Sequence, residues 1–237
     1  VDESLDHLSA RLESNERQIQ HAQQLRDEWI TGLSHDLKTP LSSILGYSAM
    51  LASKDYEWSK EEVQSFAETM EEKAHYMDAL IKELTYTYQL KNKAITLTKE
   101  QINVAQLLSG QQSPRVKVEV AHNATVYADE LALKRILDNL LSNSLQYTPE
   151  EKEVTVHVNE TKTDTIFTIS DQGTGIPQEK LDNLFERYYR GTNTTTDTEG
   201  TGLGIAITKQ LIDLHNGDIS VKSSKDGTIF TIRLPKM

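Results

Sequence analysis

The stretch YADELALKRILDNLLSNSLQYTP, residues 127–149, carries the signals of one amphipathic helix. Asp129 is placed to cap its N-terminus, and Pro149 lies beyond its end because proline cannot continue a helix. An apolar face is formed by the leucines at 133, 137, 140 and 141. A separate polar stripe contains Arg135, Asn139, Asn143 and Gln146. The helix therefore presents one face to a core and another to polar chemistry.

Strand-like alternation of apolar and polar residues surrounds this helix. The segments are VKVEV (116–120), VTVHV (154–158), TIFTIS (165–170), DISVKS (218–223) and TIFTIRL (228–234). A second helical stretch covers 203–215. This order predicts an α/β domain whose mainly antiparallel sheet is covered by helices on one face.

The sequence before residue 93 predicts helices only. Seam positions from Leu5 to Leu33 are spaced three and four residues apart and are apolar except for Asn15 and Arg26, which is typical of a parallel coiled coil. This rhythm breaks after Leu33, and such a stutter locally unwinds a coiled coil. Two interpretations remain open, namely a simple change to bundle packing and a deformable joint that transmits movement.

The helical part divides into a hairpin. The first helix is predicted to end near Ala52, and a turn at 53–59 is followed by a helix that Ser59 caps and that fades at 90–93. Pairing two hairpins in a symmetric dimer gives a four-helix bundle. The prediction is an α+β protein with a coiled-coil helix (1–30), a dimerisation hairpin (31–93) and an α/β sandwich domain (94–237).

Composition narrows the possible functions. The 237 residues carry a formal net charge of −11 and no cysteine. Disulfides and thiolate chemistry are therefore excluded, and a broad nucleic-acid surface is disfavoured. No apolar run is long enough for a membrane span, and no signal-peptide pattern is present. Because the first residue is Val1, we expect the sequence to be a fragment or a processed chain.

The segment LSHDLKTPL, residues 33–41, raises a chemical question. His35 faces away from the apolar side of the helix, where a histidine is most often an ordinary surface residue. Asp36 can select the tautomer that leaves the other ring nitrogen as a nucleophile, and Thr39 shares its face. Pro40 frees a backbone carbonyl within a turn of the histidine and gives the helix a place to bend.

Glycines are concentrated in the last third of the chain. Six of the eleven lie between 173 and 204, and five of these six fall in two short segments. In DQGTGIP (171–177) they allow the backbone to approach a flat ligand, and Asp171 can accept a hydrogen bond from an exocyclic amine. EGTGLGIAITKQLI (199–212) is a glycine loop that opens a helix, which suits phosphates. The asparagines at 139 and 143 offer oxygen ligands that suit phosphate-bound Mg²⁺, or else form an ordinary exposed helix face.

These segments together resemble the transmitter core of a bacterial sensor histidine kinase. SHDLKTPL resembles the H box, LDNLLSNSLQYT the N box, and LFERYYRG the F box. DQGTGI and GTGLGI resemble the two glycine boxes. The similarity covers the chain from about residue 25 onward, and all five motifs occur in the order typical of the family.

The resemblance implies a role for each matching residue. His35 would accept the phosphoryl group of ATP, Asp36 would act as the base or tautomer-fixing partner, and Thr39 would position water for phosphatase activity. Asn143 would hold Mg²⁺, with Asn139 contacting phosphate or metal-bound water. The remaining nucleotide contacts would be Gln146 (where many members have Lys or Arg), Tyr147, Asp171, Gly173, Gly175, Ile176, the lid residues Tyr189 and Arg190, and the phosphate loop Gly200, Thr201, Gly202, Leu203 and Gly204.

The resemblance also implies partners and a location. A homodimer would pass the phosphoryl group to an aspartate on the receiver domain of a response regulator. Nucleic acid would not be a partner, and a membrane would be involved only through missing upstream segments of an anchored protein whose cytoplasmic portion this is. The first helix of the ATP-binding domain is shorter than is usual in the family.

Two other functions stay open, a degenerate dimeric scaffold and a plain ATPase of the gyrase and heat-shock chaperone type. Hydrolytic relatives carry a water-activating glutamate where this chain has Asn139, so phosphoryl transfer is favoured over hydrolysis.

Overall fold

The computed structural model describes residues 2–92, 95–181, 184–185 and 203–236. The chain divides into two compact units, which meet in sequence between Tyr88 and Gln89. This division falls a few residues before the boundary predicted at residue 93, because the second helix runs into the second unit.

Two helices form the first unit, as the sequence predicts. Helix α1 spans Asp2–Ala52 and α2 spans Lys60–Lys91. A capping box starts α2, in which the Ser59 N–H donates to Glu62 Oε2 at 2.8 Å and the Glu62 N–H donates to Ser59 Oγ at 3.1 Å. The Ser59 backbone N–H, and then its hydroxyl, hold the pKa of Glu62 below its usual value. These reciprocal bonds satisfy two backbone donors and fix the start of α2.

Aromatic side chains close the turn between the helices. The Trp58 indole Nε1 donates to the carbonyl of Met50 at 3.1 Å, which ties the turn back to the end of α1. The Trp58 ring packs edge-on against Phe66 of α2, with the ring centres 5.1 Å apart. The ring centre of Phe66 also lies 5.1 Å from that of Tyr47 of α1. The hairpin is therefore held at this end by contacts between both helices and the turn.

Mixed strands and helices form the second unit. They are β1 (Glu100–Asn103), α3 (Val104–Leu108), β2 (Val116–Val120), β3 (Thr125–Ala128), α4 (Glu130–Tyr147), β4 (Val154–Glu160), β5 (Asp164–Ser170), α5 (Gln178–Leu181), α6 (Gly204–Leu214), β6 (Asp218–Ser224) and β7 (Gly227–Pro235). The main sheet has the order β2-β4-β5-β7-β6. Only the β2–β4 pair is parallel, which confirms the prediction of a mainly antiparallel sheet.

One core lies between this sheet and two helices. Helix α4 packs on β4 and β5, α6 packs on β6, and the two helices pack on each other. Alternate strand residues such as Phe167, Ile169, Phe230 and Ile232 are fully buried. They meet the buried helix faces that contain Leu133, Leu137, Ile207 and Leu211. The period of two on the strands and the helical period on α4 and α6 thus define the same core.

Three short elements were not predicted. Strands β1 and β3 pair antiparallel as a separate two-stranded ribbon, and α5 has only four residues. The Asn103 side chain caps α3 by accepting from the Gln106 N–H at 3.0 Å. Strand β1 is too short, and too exposed, to show an alternating pattern. The first helix of this domain, which was expected to be short, is α3, with five residues.

Within the parts of the chain that the structure describes, no helix combines the length and apolar character that crossing a bilayer requires.

Candidate active site

His35 lies on the exposed surface of α1. Its side chain is 79% exposed, whereas the carboxylate of Asp36 beside it is only 14% exposed. Nδ1 of His35 lies 3.7 Å from Asp36 Oδ1, which is longer than a hydrogen bond. The contact expected to select the tautomer therefore requires a small side-chain rotation, while most of the ring is open to an approaching reactant.

Hydroxyl groups bond back onto the helix around His35. Thr39 Oγ1 donates to the carbonyl of His35 at 3.1 Å, and Ser43 Oγ donates to the carbonyl of Thr39 at 3.3 Å. Such bonds compete with the helical ones and often bend a helix. Pro40 is buried and has no N–H for the carbonyl four residues earlier. Helix α1 is nevertheless continuous across Pro40, so the bend stays a prediction.

Helix α4 is the central element of the second unit's site. Asp129 caps it as predicted, since Oδ1 accepts from the Ala132 N–H at 2.9 Å. The leucine face is buried against the sheet, which turns the polar stripe outward. Asn139 and Asn143 are half-buried on this stripe, whereas Gln146 and Tyr147 are exposed. The predicted ligand-binding residues thus follow one line along the helix.

Arg115 stabilises the end of α4. Its Nη2 donates to the carbonyl of Thr148 at 2.8 Å, of Pro149 at 3.2 Å and of Leu145 at 3.4 Å. The last carbonyls of a helix lack hydrogen-bond donors within the helix, and here the guanidinium of Arg115 donates to them. The turn that carries Gln146 and Tyr147 is thereby fixed.

Asp171 follows β5 directly and is only 7% exposed. Its Oδ1 accepts hydrogen bonds from the backbone N–H of Gly173 at 2.9 Å and of Thr228 at 3.0 Å. Oδ2 accepts none from the residues that the structure describes. Because the backbone holds one oxygen of this carboxylate, the other is oriented to accept from an external donor such as an exocyclic amine.

The first glycine loop needs its glycines for close approach. A Cβ on Gly173 would overlap the carbonyl oxygen of Tyr147, and a Cβ on Gly175 would overlap the carbonyl of the last β6 residue. Gly175 also has a φ of 74°, which favours glycine. The Ile176 N–H donates to Ser223 Oγ at 2.8 Å. The loop is therefore wedged between the end of α4 and the end of β6.

Helix α6 starts at Gly204, at the end of the second glycine loop. Leu203 is buried at its N-terminus, where no side chain of a described residue caps the helix. Asn139 Nδ2 donates to the carbonyl of Gly204 at 3.1 Å and lies 3.4 Å from Thr208 Oγ1. The amide nitrogen of Asn139 therefore holds the first turn of α6, a contact that sequence reasoning missed.

Comparisons with known proteins identify the family. Residues 25–92 match the His Kinase A (phospho-acceptor) domain, and residues 128–237 match the histidine kinase-, DNA gyrase B- and HSP90-like ATPases. The histidine protein kinase SaeS of Staphylococcus aureus (strain MRSA252) is 33% identical over 256 residues, covering 100% of this chain and 71% of SaeS. The chain belongs to the sensor histidine kinase family.

Other sensor histidine kinases show the same relationship. Sensor histidine kinase YvrG of Bacillus subtilis (strain 168) is 41% identical over 246 residues, covering 99% of this chain but only 42% of YvrG. Sensor protein VanS of Enterococcus faecium is 31% identical, covering 100% of this chain and 64% of VanS. The chain thus spans about half the length of these two relatives.

A solved structure confirms the predicted α+β fold. The Acinetobacter baumannii histidine kinase AdeS has a TM-score of 0.62 and 22% identity, covering 85% of this chain and 97% of AdeS.

The structure places the predicted residues of this sensor kinase in local groups. His35, Asp36 and Thr39 adjoin on α1. Gly173 adjoins both Asp171 and Tyr147, and Asn139 adjoins Gly204. The residues predicted for the lid and for most of the phosphate loop lie outside the described residues, namely Tyr189, Arg190, Gly200, Thr201 and Gly202.

Two residues with clear structural roles were missed, Arg115 and His215. Arg115 lies just before a strand, where nothing in the sequence marks a partner thirty residues away. His215 is buried at the end of α6, and its Nε2 accepts from the Asp129 N–H at 3.0 Å. The sequence gives one signal for the contact between His215 and Asp129. His215 is a polar residue at the end of a predicted helix, and Asn216 and Gly217 follow it.

Proposed function

We propose that this sensor histidine kinase chain transfers the γ-phosphoryl group of ATP to His35. The bond between the γ-phosphorus and the bridging oxygen of ADP breaks, and a nitrogen–phosphorus bond forms at Nε2. The observation that carries the proposal is the exposed His35 ring with Asp36 on its Nδ1 side. A carboxylate there favours the neutral tautomer with its proton on Nδ1, which leaves a lone pair on Nε2.

The second unit supplies the nucleotide. We assign recognition of the adenine amino group to Asp171, whose backbone-held carboxylate supports this role. Gly173, Gly175 and Ile176 would form the wall of the base pocket, and Tyr147 would pack beside the base. The phosphates would lie at the start of α6, on Leu203 and Gly204 with the preceding loop of Gly200, Thr201 and Gly202, while the lid would add Tyr189 and Arg190.

Asn143 would hold Mg²⁺. Its half-buried amide makes no hydrogen bond within the described part of the chain, so its carbonyl oxygen fits a hard cation. Within the same part, no group of three His, Cys, Asp or Glu side chains converges. A donor set this small fits a cation that arrives with the nucleotide's phosphates. When bound, Mg²⁺ would neutralise charge on those phosphates.

Transfer is favoured over hydrolysis by the chemistry of Asn139. An amide cannot take a proton from water, and here its nitrogen donates to the carbonyl of Gly204. Asn139 therefore supports the phosphate end of the site without activating water. Gln146, exposed about two turns further along α4, would give a weaker phosphate contact than a cation because it carries no charge.

Labelling with γ-³²P-ATP and magnesium tests the proposal. We expect an acid-labile, base-stable label on the wild-type chain and none on His35→Gln. His75→Gln is the matched control, because the His75 side chain is 78% exposed and lies 3.8 Å from a carboxylate oxygen of Glu71. The control should label like the wild type, and equal labelling of His35→Gln would refute the assignment.

The same experiment separates the alternative functions. A dimeric scaffold without catalysis would take up no label, and a plain ATPase would release free phosphate without labelling the protein. The intact His35, Asn143 and Asp171 support the kinase over the scaffold, and Asn139 supports it over the plain ATPase.

We also propose that a homodimer of this chain passes the phosphoryl group to an aspartate of a response-regulator receiver domain. Thr39 would serve the phosphatase reaction, in which water hydrolyses the receiver's aspartyl phosphate to aspartate and inorganic phosphate. The Thr39 hydroxyl donates to a backbone carbonyl, so its lone pairs stay available to orient a water molecule. Thr39→Ala should slow dephosphorylation of the receiver more than labelling of His35. Thr31→Ala is the control, because the Thr31 hydroxyl also donates to the backbone carbonyl four residues earlier on α1. Equal phosphatase rates in the two variants would contradict the role of Thr39.

The chain would then work in three parts, a signalling helix (1–30), the phosphotransfer hairpin (31–93) and the ATP-binding domain (94–237). The heptad seam supports the first part and the two family matches support the others. We propose that these parts form the cytoplasmic core of a membrane-anchored sensor.

A further inference from the structure

Asp129 is the centre of a hydrogen-bonded cluster that the proposed chemistry does not use. Its Oδ1 caps α4, and its Oδ2 accepts from the backbone N–H of Thr98 at 2.8 Å. Its own N–H donates to Nε2 of His215 at 3.0 Å. Thr98 belongs to the segment 95–99, which leads along the chain from α2 to β1. One residue thus joins this linker, the start of α4 and the end of α6.

His215 completes the cluster as a neutral ring. It is 3% exposed, and Nδ1 lies 2.7 Å from the carbonyl of Leu211. Nδ1 must therefore carry the proton and donate it to that carbonyl, while Nε2 accepts from Asp129. Burial lowers the pKa of His215, and Lys99 acts in the same direction, whereas the Leu211 carbonyl and Asp129 oppose the shift.

Helix α6 is tied to α4 at both of its ends. His215 makes the tie at the C-terminal end, and Asn139 makes it at Gly204, the first residue of the helix. Ten residues of α4 separate Asp129 from Asn139, which is about 15 Å along a helix and nearly the length of α6. Two hydrogen bonds near the two ends of a helix restrain both its position and its rotation, so we expect Gly204 to shift when one of them is released.

We propose that Asp129 and His215 are positioning residues that couple the linker at Thr98 to the nucleotide-binding start of α6. This inference rests on the proposed function, because it requires the nucleotide to bind at Leu203 and Gly204. Coupling between two sites is reciprocal. Nucleotide binding therefore protects the Thr98 amide, and loss of the Thr98 bond weakens nucleotide binding by the same factor.

Affinity for ADP in four variants tests the coupling. Thr98→Pro removes the donor to Asp129, and Thr96→Pro is its control, because the Thr96 N–H donates to none of the described residues. His215→Gln releases the end of α6. Val116→Ala is the control for a general loss of stability. Val116 lies on β2, and β2 and β6 form opposite edges of the sheet, whereas α6 packs on β6. We expect Thr98→Pro and His215→Gln to bind ADP three- to tenfold more weakly, and the two controls to stay within twofold of the wild type.

Amide hydrogen exchange at Thr98 gives a second readout. If Asp129 and His215 only stabilised the fold, ADP would not change this exchange rate. In the wild type and in Val116→Ala, saturating ADP should slow exchange at Thr98 at least threefold, and in His215→Gln it should not. The inference would be overturned if Thr98→Pro and His215→Gln both bound ADP as tightly as the wild type, or if ADP did not slow amide exchange at Thr98 in the wild type. Either result would leave the kinase proposal in place. A wild-type chain that binds no ADP would overturn both.

Discussion

Replacing Asp171 with asparagine separates nucleotide recognition from folding. In the structure, Oδ1 accepts from two backbone donors, Gly173 N–H and Thr228 N–H, while Oδ2 faces none of the described donors. Asparagine keeps an oxygen for the two backbone groups and places an amide nitrogen where Oδ2 was. The fold therefore keeps its bonds, but the base pocket now presents a donor to the amino group of adenine.

The expected magnitudes follow from these bonds. A hydrogen bond to a charged acceptor contributes about 1.5–3 kcal/mol, so Asp171→Asn should weaken ADP binding by about 10- to 150-fold. Asp171→Ala, in contrast, leaves two buried backbone donors without an acceptor. At about 1–3 kcal/mol each, it should lower the free energy of unfolding by roughly 2–6 kcal/mol.

Equilibrium titration with ADP and with inosine diphosphate provides the assay. The inosine base has an oxygen in place of the amino group, so the wild type should prefer ADP and Asp171→Asn should lose that preference. Asp218→Asn is the control, since Asp218 is exposed on β6. The reasoning fails if Asp171→Asn binds ADP within threefold of the wild type, or if it keeps the preference for ADP.

Three further predictions concern stability. Gly175→Ala combines a φ of 74° with overlap at a backbone carbonyl, so it should lower the melting temperature strongly, whereas Gly110→Ala, with open space around it, should not. Ser59→Ala removes the cap of α2 and should cost about 1 kcal/mol in urea unfolding; an unchanged midpoint would contradict the capping box. His215, whose folded pKa is lowered from 6.5, contributes stability above its unfolded pKa that is lost as pH falls through the folded pKa. The stability difference between wild type and His215→Gln should therefore shrink on acidification, and a constant difference would argue against a neutral ring.

The sequence predicted most of the long elements because their periodicity is strong. The bounds of α4 fall within a residue or two of the predicted ones, since Asp129 and Pro149 mark both ends chemically. Strand β2 matches VKVEV residue for residue. Short elements such as β1 and β3 carry too few residues to express a period, and their pairing with each other across about twenty residues is what makes them form.

The candidate site was predictable to the extent that its chemistry lies in contiguous motifs. The motif around His35 predicted a phosphoacceptor and the first glycine loop predicted a base-binding role for Asp171, and the family resemblance was needed to assign both roles. The sequence could not predict the distance of 3.7 Å between His35 Nδ1 and Asp36 Oδ1, because the side-chain rotamers of these two neighbouring residues decide it.

By itself, the sequence predicted the long helices and strands, the places where glycines must allow close approach, and the side chains that are candidates for phosphoryl-transfer chemistry. These are local properties, set by periodicity and by residue type. Only the tertiary structure decided that Arg115 caps α4, that Asn139 holds the start of α6, and that His215 joins Asp129. Each of these contacts spans thirty or more residues, and no local preference specifies such a pair until the core has packed.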